Sequence, residues 1–386
     1  MKIDKIKVYS FHVRGKTEWL VLEIESDNGL IGLSELTTSN YLKTSQLIET
    51  LYAQLKKILA LELYNDQQIK EVLEKNERPP NEDFILATTI SGIRSACSDI
   101  FSKTRSLSLK DYLTDIFSLP KYSSEFIPLY ANINRSMLPD DAGPTDRSPK
   151  TFKKRAQNAT KDGFLFIKCA PFDQYPDSYY KGEKFIAEGM KRVSSIVKIL
   201  RNSQKLLIDC HAKFNLKTSI KVESLLFEKG VSWFEEPMNP KKNSSELIEI
   251  KKSIQGNLVG GEEFYGVNEF IKLYKTKVLD ILMPDIKYCG GVEEAVKIGM
   301  ELKKLSPNSF SIHCPSGPIS LLGSAHVTSA LNTKLPLEHA VYEVPDRKQF
   351  IIPEEKIING EYCLPDSPGI GVKLNLDKPH NLILNI

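Results

Sequence analysis

Through the second half of the chain, short apolar runs end again and again on one polar or charged residue. Phe164-Leu165-Phe166-Ile167 ends on Lys168, Leu206-Leu207-Ile208 on Asp209, and Val231-Ser232-Trp233-Phe234 on Glu235. Leu258-Val259-Gly260-Gly261 leads to Glu262, Ile281-Leu282-Met283-Pro284 to Asp285, Phe310-Ser311-Ile312 to His313, and Leu335-Pro336-Leu337 to Glu338. Runs this short and this continuous read as strands buried on both faces, which belong to parallel sheets. The gaps between them hold helical patterns, at 184–200, 217–228, 244–254 and 292–305. With 129–134 as a first strand, the rhythm predicts eight strands joined by right-handed crossovers, a (β/α)8-type barrel. All strand C-termini of such a barrel open onto one face, and the active site forms there.

The first ~125 residues follow a different pattern. Residues 6–12 and 19–25 alternate like half-buried strands, and Asp27-Asn28-Gly29 is a hairpin turn before a further strand at 30–34. Two helical stretches follow, 44–76 and 82–115, separated by Pro79-Pro80. Strands followed by helices without alternation make an α+β unit. The expected organisation is an α+β capping domain over 1–125 and a catalytic barrel over 126–360. A tail, 361–386, carries Pro368-Gly369-Ile370-Gly371-Val372 and packs back on the cap.

Composition narrows the class. The chain has 386 residues, more than one core usually supports, with 41% hydrophobic and 26% charged residues. Lys+Arg 52 against Asp+Glu 49 leaves +3, which favours neither nucleic acid nor an anionic membrane as partner. No apolar run approaches the ~20 residues that span a bilayer, and the start runs straight into a strand pattern, without a secretory signal. Six cysteines lack CxxC spacing, so a reduced, cytoplasmic protein is expected.

The strand tips carry the chemistry. Asp209, Glu235 and Glu262, 26 and 27 residues apart, would repel one another unless a cation sat among them, and hard oxygen donors suit Mg2+. Each carboxylate alone would more often cap a helix or pair with a lysine; three in register favour a metal site. A ring N–H of His313 reaching Asp285 on the neighbouring tip would fix its tautomer and raise its basicity. His211, two residues beyond Asp209, points into the same cavity. Glu338 adds a further acid, either hydrogen-bonded toward the substrate or a buried cap. Lys168 is expected to hold a substrate anion or to act as a desolvated base. His12, His326, His339 and His380 read as structural, with His339, next to Glu338, left open for the rim.

These motifs resemble the enolase superfamily, in particular its mandelate racemase subgroup. They are Ile208-Asp209-Cys210-His211, Phe234-Glu235-Glu236-Pro237, Gly261-Glu262, Met283-Pro284-Asp285 with Gly290-Gly291-Val292, Ile312-His313-Cys314-Pro315, and Leu337-Glu338. Asp209-Cys210-His211 and His313-Cys314-Pro315-Ser316-Gly317-Pro318 are most similar to galactonate dehydratase and related sugar-acid dehydratases. The resemblance implies Mg2+ on Asp209, Glu235 and Glu262, His313 as general base oriented by Asp285, His211 as general acid, and Glu338 as partner of the enolate. One departure is Phe166-Ile167-Lys168, where many members carry Lys-x-Lys; without the first lysine a two-base racemase is disfavoured.

The resulting expectation is a Mg2+-dependent sugar-acid dehydratase; the alternative is an enzyme that removes the α-proton without expelling water. That outcome would make it an enolase-type racemase, epimerase or cycloisomerase. The reading from another class is a non-catalytic metal-binding barrel. The expected partner is a small sugar acid such as galactonate or gluconate, and the expected assembly a homo-oligomer. The tyrosine-rich insertion at 172–185 (Tyr175, Tyr179, Tyr180) has no assigned role, and the cap loops at 14–18 and 37–40 are expected to read distal hydroxyls.

Overall fold

The computed structural model describes residues 1–15, 17–37, 44–75, 77–122, 126–173 and 183–386. Tyr175, Tyr179 and Tyr180, residues 16 and 38–40 of the cap loops, and residues 123–125 at the expected cap–barrel boundary lie outside these.

The N-terminal sheet is antiparallel: β1 (Ile3–Arg14), β2 (Thr17–Ser26) and β3 (Ile31–Glu35). The 44–76 stretch is two helices, α1 (Thr44–Lys56) and α2 (Asp66–Leu73), because Leu63 N–H donates to Met1 O and the Asn65 side chain then caps a new helix by accepting from Gln68 N–H. The 82–115 stretch also divides. α3 (Phe84–Thr104) ends where Ser106 turns left-handed (φ 54°), and Ser108 caps α4 (Leu109–Ile116). α3 is buried from Leu86 to Ser102, as a helix packed on all sides must be. A Cβ on Gly32 would lie 2.0 Å from Ala96 O, so β3 and α3 meet backbone to backbone.

The barrel strands run in chain order: β4 (Phe126–Asn132), β5 (Phe166–Cys169), β6 (Lys205–Asp209), β7 (Trp233–Glu235), β8 (Asn257–Gly260), β9 (Ile281–Leu282) and β10 (Leu337–Ala340). They pair in parallel from β4 to β9, and β10 returns to pair with β4. Residues 309–313 complete the circle. Leu282 bridges to Phe310, His313 N–H donates to Pro284 O, and Glu338 N–H donates to Ile312 O. The expected strand before His313 is therefore present as a ladder too irregular to count as a regular strand.

The helices between are α5 (Pro149–Lys161), α6 (Glu183–Val197), α7 (Leu216–Phe227), α8 (Ser244–Ser253), α9 (Val267–Lys275), α10 (Gly291–Leu305) and α11 (Pro318–Leu331). β10 is followed by no eighth helix among the described residues. Instead the chain forms β11 (Ile351–Ile352), β12 (Ile357–Ile358), β13 (Glu361–Cys363), β14 (Lys373–Leu374) and β15 (Asn381–Asn385). The tail divides its attachments: β13 pairs with β4 of the barrel, whereas β15 pairs with β1 of the cap sheet.

Candidate active site

Strand parity builds the site. Phe166 and Lys168, Leu207 and Asp209, and Trp233 and Glu235 are spaced by two, so each pair faces the same way. Leu207 and Trp233 join Tyr130, Val259, Ile281 and Met283 in a core cluster separate from the main one, with Phe166 against it. This is the barrel's apolar interior, and the polar tips stand above it. Register sets Asp209 beside Glu235 and Lys168 beside Asn132.

Lys168 is 1% exposed, and its Nζ contacts Glu235 Oε1, Glu338 Oε1 at 3.1 Å and Asp209 Oδ2 at 3.3 Å. Burial opposes its charge, but Glu235 and Glu338 outweigh burial and hold the ammonium well above its usual pKa. With its donors on three acids, Lys168 stands here as their counter-charge. Burial, and then the nearby Asp209, push Glu235 up to about 8 even beside Lys168. Glu235 also accepts from Trp233 Nε1 at 2.9 Å. Glu338 is held below the usual carboxylate range; burial works against this, but Lys168 and His313 prevail. It accepts from Asn132 Nδ2 (2.8 Å) and from Cys314 N–H (3.0 Å).

The three expected metal ligands lie at the ends of β6, β7 and β8. Their chemistry suits a hard divalent cation, since all three offer carboxylate oxygens and Asp209 and Glu235 sit side by side on adjacent strands. Each is presently turned to a cationic side chain: Asp209 to Lys168 and His211, Glu235 to Lys168, and Glu262 to His313. Accordingly, no three His, Cys, Asp or Glu groups among the described residues already converge as a cage. The donor set fits the cation, and its side chains would have to turn to hold it.

His313 Nδ1 lies 3.0 Å from Asp285 Oδ2, and its Nε2 lies 2.8 Å from Glu262 Oε2. The ring is held protonated; burial resists this, but Glu262 and Glu338 outweigh it. Asp285 in turn receives Lys287 Nζ (2.7 Å) and Lys287 N–H (2.8 Å). Lys287 is 2% exposed, and it also donates to Tyr288 OH, whose hydroxyl donates to Thr37 O of the cap. The sequence reading missed Lys287. Its only signal is a cation two residues past Asp285.

His211 comes from the opposite side of the barrel. β6 is the third strand of the circle and 309–313 the seventh, four steps away. His211 and Ala212 both have positive φ (44° and 54°), a rare conformation for such residues that costs ~1–3 kcal/mol each and clusters at functional sites. Ala212 N–H donates to Glu236 O, and His211 N–H to Asp209 Oδ1. The His211 ring bridges two acids: Nδ1 to Asp173 (2.9 Å) and Nε2 to Asp209 Oδ2 (3.1 Å). Burial opposes protonation, but Asp173 and Asp209 raise its pKa well above the usual value. The ring is 44% exposed, so solvent screens part of that effect. Asp173 was also missed, because it lies four residues past the end of β5, where strand parity no longer applies.

The remaining histidines stay outside this constellation. His12 is exposed beside Asp141; His326 accepts from Lys110 N–H and donates to Ile370 O; His380 packs on Tyr9 and Phe11. His339 alternates away from Glu338 and stacks on Phe164, which places it off the rim. A groove of about 880 Å³ between α5, α6 and α7, lined by Lys153, Ile186, Met190, Lys221 and Leu225, contains none of the tip residues. The site is thus located by its chemistry and not by cavity size.

Residues 151–378, more than half the chain, match the family described as enolase C-terminal domain-like. The chain belongs to the enolase superfamily. It is 26% identical over 358 residues to a D-gluconate/D-galactonate dehydratase of Picrophilus torridus, covering 92% of this chain and 85% of that one. It is 23% identical over 367 residues to a D-xylonate dehydratase of Haloferax volcanii, covering 95% and 85%. A solved enolase superfamily member from Salmonella Typhimurium superposes with a TM-score of 0.86 at 22% identity, covering 99% of this chain and 100% of that one. That likeness establishes the shared fold, a capping domain on a barrel.

Proposed function

We propose that this superfamily member is a hydro-lyase that removes water from a sugar acid, an aldonate such as gluconate or galactonate, to give a 2-keto-3-deoxy acid. One observation carries the reading: two histidines, His313 and His211, come from opposite sides of the barrel mouth, and each is held at Nδ1 by a buried aspartate. Elimination needs a base at the α-carbon and an acid at the β-hydroxyl, and such a pair provides both. The dehydratase activities of the relatives from Picrophilus torridus and Haloferax volcanii support it.

Asp209, Glu235 and Glu262 would hold Mg2+. Once bound, it would supply a Lewis acid for the negative charge that develops on the substrate carboxylate. His313 Nε2 takes the α-proton as the neutral imidazole, for which Glu262 must release that nitrogen and the Nε2 proton must first leave to solvent, Nδ1–H staying on Asp285. The C–H electron pair forms the carbon–carbon double bond as the β-C–O bond breaks. His211 Nε2 protonates the departing hydroxyl, and the enol left behind tautomerises to the keto acid. Lys168, neutralising Glu235, Glu338 and Asp209, keeps the acids around the substrate from accumulating charge. Its commitment to them weighs against a two-base epimerase.

A panel of aldonates and aldarates, supplied with Mg2+ and followed by keto-acid formation, tests the reading. Keto acid from at least one, abolished by chelator and by Glu235→Gln, is expected. Exchange or epimerisation without keto acid would replace the reading with the racemase alternative, and no turnover at all would favour the non-catalytic barrel.

A further inference from the structure

Resting on the hydro-lyase reading, we infer that Asp173 is the positioning residue for the acid His211, so that the site carries two His–Asp pairs of separate function. The Asp173 side chain is 3% exposed, and both its oxygens lie near His211 Nδ1, at 3.0 and 2.9 Å. With Nδ1–H given to Asp173, Nε2 is the nitrogen left to face Asp209 and the barrel mouth. A hydroxyl leaving from the β-carbon needs its proton from that nitrogen.

The chain holds Asp173 in place from several sides. Asn134 Nδ2, just past β4, donates to Asp173 Oδ2 at 3.3 Å. Arg147 donates to Asn134 Oδ1 (2.9 Å) and to Ala170 O (2.8 Å), and Arg192 donates to Pro171 O (2.6 Å) and Asp173 O (3.3 Å). Between them Phe172, 1% exposed, packs edge-on against Phe214 at 5.0 Å and against the bare Cα of Gly189 on α6. Two arginines and a buried ring therefore fix the backbone that aims one carboxylate at one imidazole. The His211 backbone, by contrast, is in an unfavourable left-handed conformation. Its ring is 44% exposed and its other nitrogen meets only Asp209, a proposed metal ligand, so Asp173 is the partner that holds the ring once Asp209 turns to a cation.

The two pairs should separate experimentally. His313–Asp285 serves α-proton removal, and His211–Asp173 serves departure of the leaving group. Fluoride leaves without an acid, so a 3-deoxy-3-fluoro analogue of the best aldonate bypasses His211. In Asp173→Asn, kcat for the hydroxy substrate should fall ~10–100-fold, as for loss of an orienting partner, with KM little changed. Fluoride release should stay within about threefold of wild type. Adding Asp173→Asn to His211→Asn should cost nothing further. Asp173→Glu, which keeps the charge, is the second variant if the amide does not fold, and it should show the same selective loss. An equal fall for hydroxyl and fluoride, or no fall for either while wild type dehydrates, overturns the positioning role alone. A wild type that forms keto acid from no sugar acid overturns the hydro-lyase reading and this inference together.

Discussion

Lys168→Met tests how the ring of acids is held together. The substitution replaces a fully buried ammonium by an apolar side chain of similar length, leaving Glu235, Glu338 and Asp209 without their shared partner. Removing one member of a buried charge set costs ~3–5 kcal/mol, because what remains is uncompensated buried charge. The acids will relieve this by taking protons. Burial and Asp209 already push Glu235 to about 8 with Lys168 present, against ~4.3 in an unfolded chain. A carboxyl raised on folding contributes stability that is intact below the unfolded value and lost as pH rises through the folded one. The variant should therefore approach wild type near pH 4.5 and fall behind by several kcal/mol at pH 8.

Urea denaturation of metal-free protein across that range measures the gap. Millimolar Mg2+ or Mn2+ should then narrow it at pH 8, since a cation bound at ~100 times its Kd contributes ~2.7 kcal/mol. The acids of the variant have more to gain from it than those of the wild type. A gap of constant size at all pH values would refute the charge argument and leave only lost packing. No gap at all would mean that Lys168 is not the counter-charge.

Other predictions concern the joints between cap and barrel. Arg94 of α3 is 1% exposed and bridges Asp66 (2.6 Å) and Glu294 of α10 (3.0 Å), so Arg94→Leu should destabilise the protein by ~3–5 kcal/mol in urea titrations. Although burial opposes it, Arg94 and Lys70 hold Glu294 down to about 2. The wild type should therefore lose up to ~3 kcal/mol as pH falls from 5 to 2, and the variant less. His326 is pushed down to about 4, by burial first. The unfolded chain thus binds the extra proton between pH 6.5 and 4, and stability in that window should fall by up to ~3 kcal/mol in wild type but not in His326→Gln. Glu35 of β3 accepts from Gly317 and Ser320 N–H (2.7 and 2.9 Å) at the start of α11. Glu35→Ala should cost ~1–2 kcal/mol in melting experiments and lower kcat by loosening the segment that follows His313.

Most of the barrel was legible because its signal is local. A buried parallel strand must be apolar throughout and must stop where its tip meets solvent or chemistry, so Asp209, Glu235 and Glu338 were marked by the runs before them. The same rule does not say which groups the tips touch. Lys168 reads in sequence as a holder of a substrate anion or a desolvated base, and the three acids around it, on three other strands, are visible only in the fold. The 44–76 stretch reads as continuous because its apolar spacing persists, whereas the break depends on Leu63 bonding to Met1, a contact 62 residues apart. Asp173 and Lys287 were invisible for a related reason. Both lie in turns, where side-chain direction follows φ and ψ and not a period of two or 3.6, and both are functional only through the histidine or aspartate they touch.

The two histidine pairs explain why those turns matter. A strand tip can aim one side chain into the barrel, but it cannot also supply the partner that fixes that side chain's tautomer. For His313 the partner comes from the adjacent tip, Asp285, which is why the pair could be expected from strand order. For His211 the neighbouring tips are Lys168 and Glu235, already engaged with each other. The partner has to come from the turn beyond β5, and that turn needs Arg147, Arg192 and Phe172 to hold it. The acid's orientation is therefore built from contacts between successive βα loops, the part of a barrel that can change between relatives without disturbing the strands beneath.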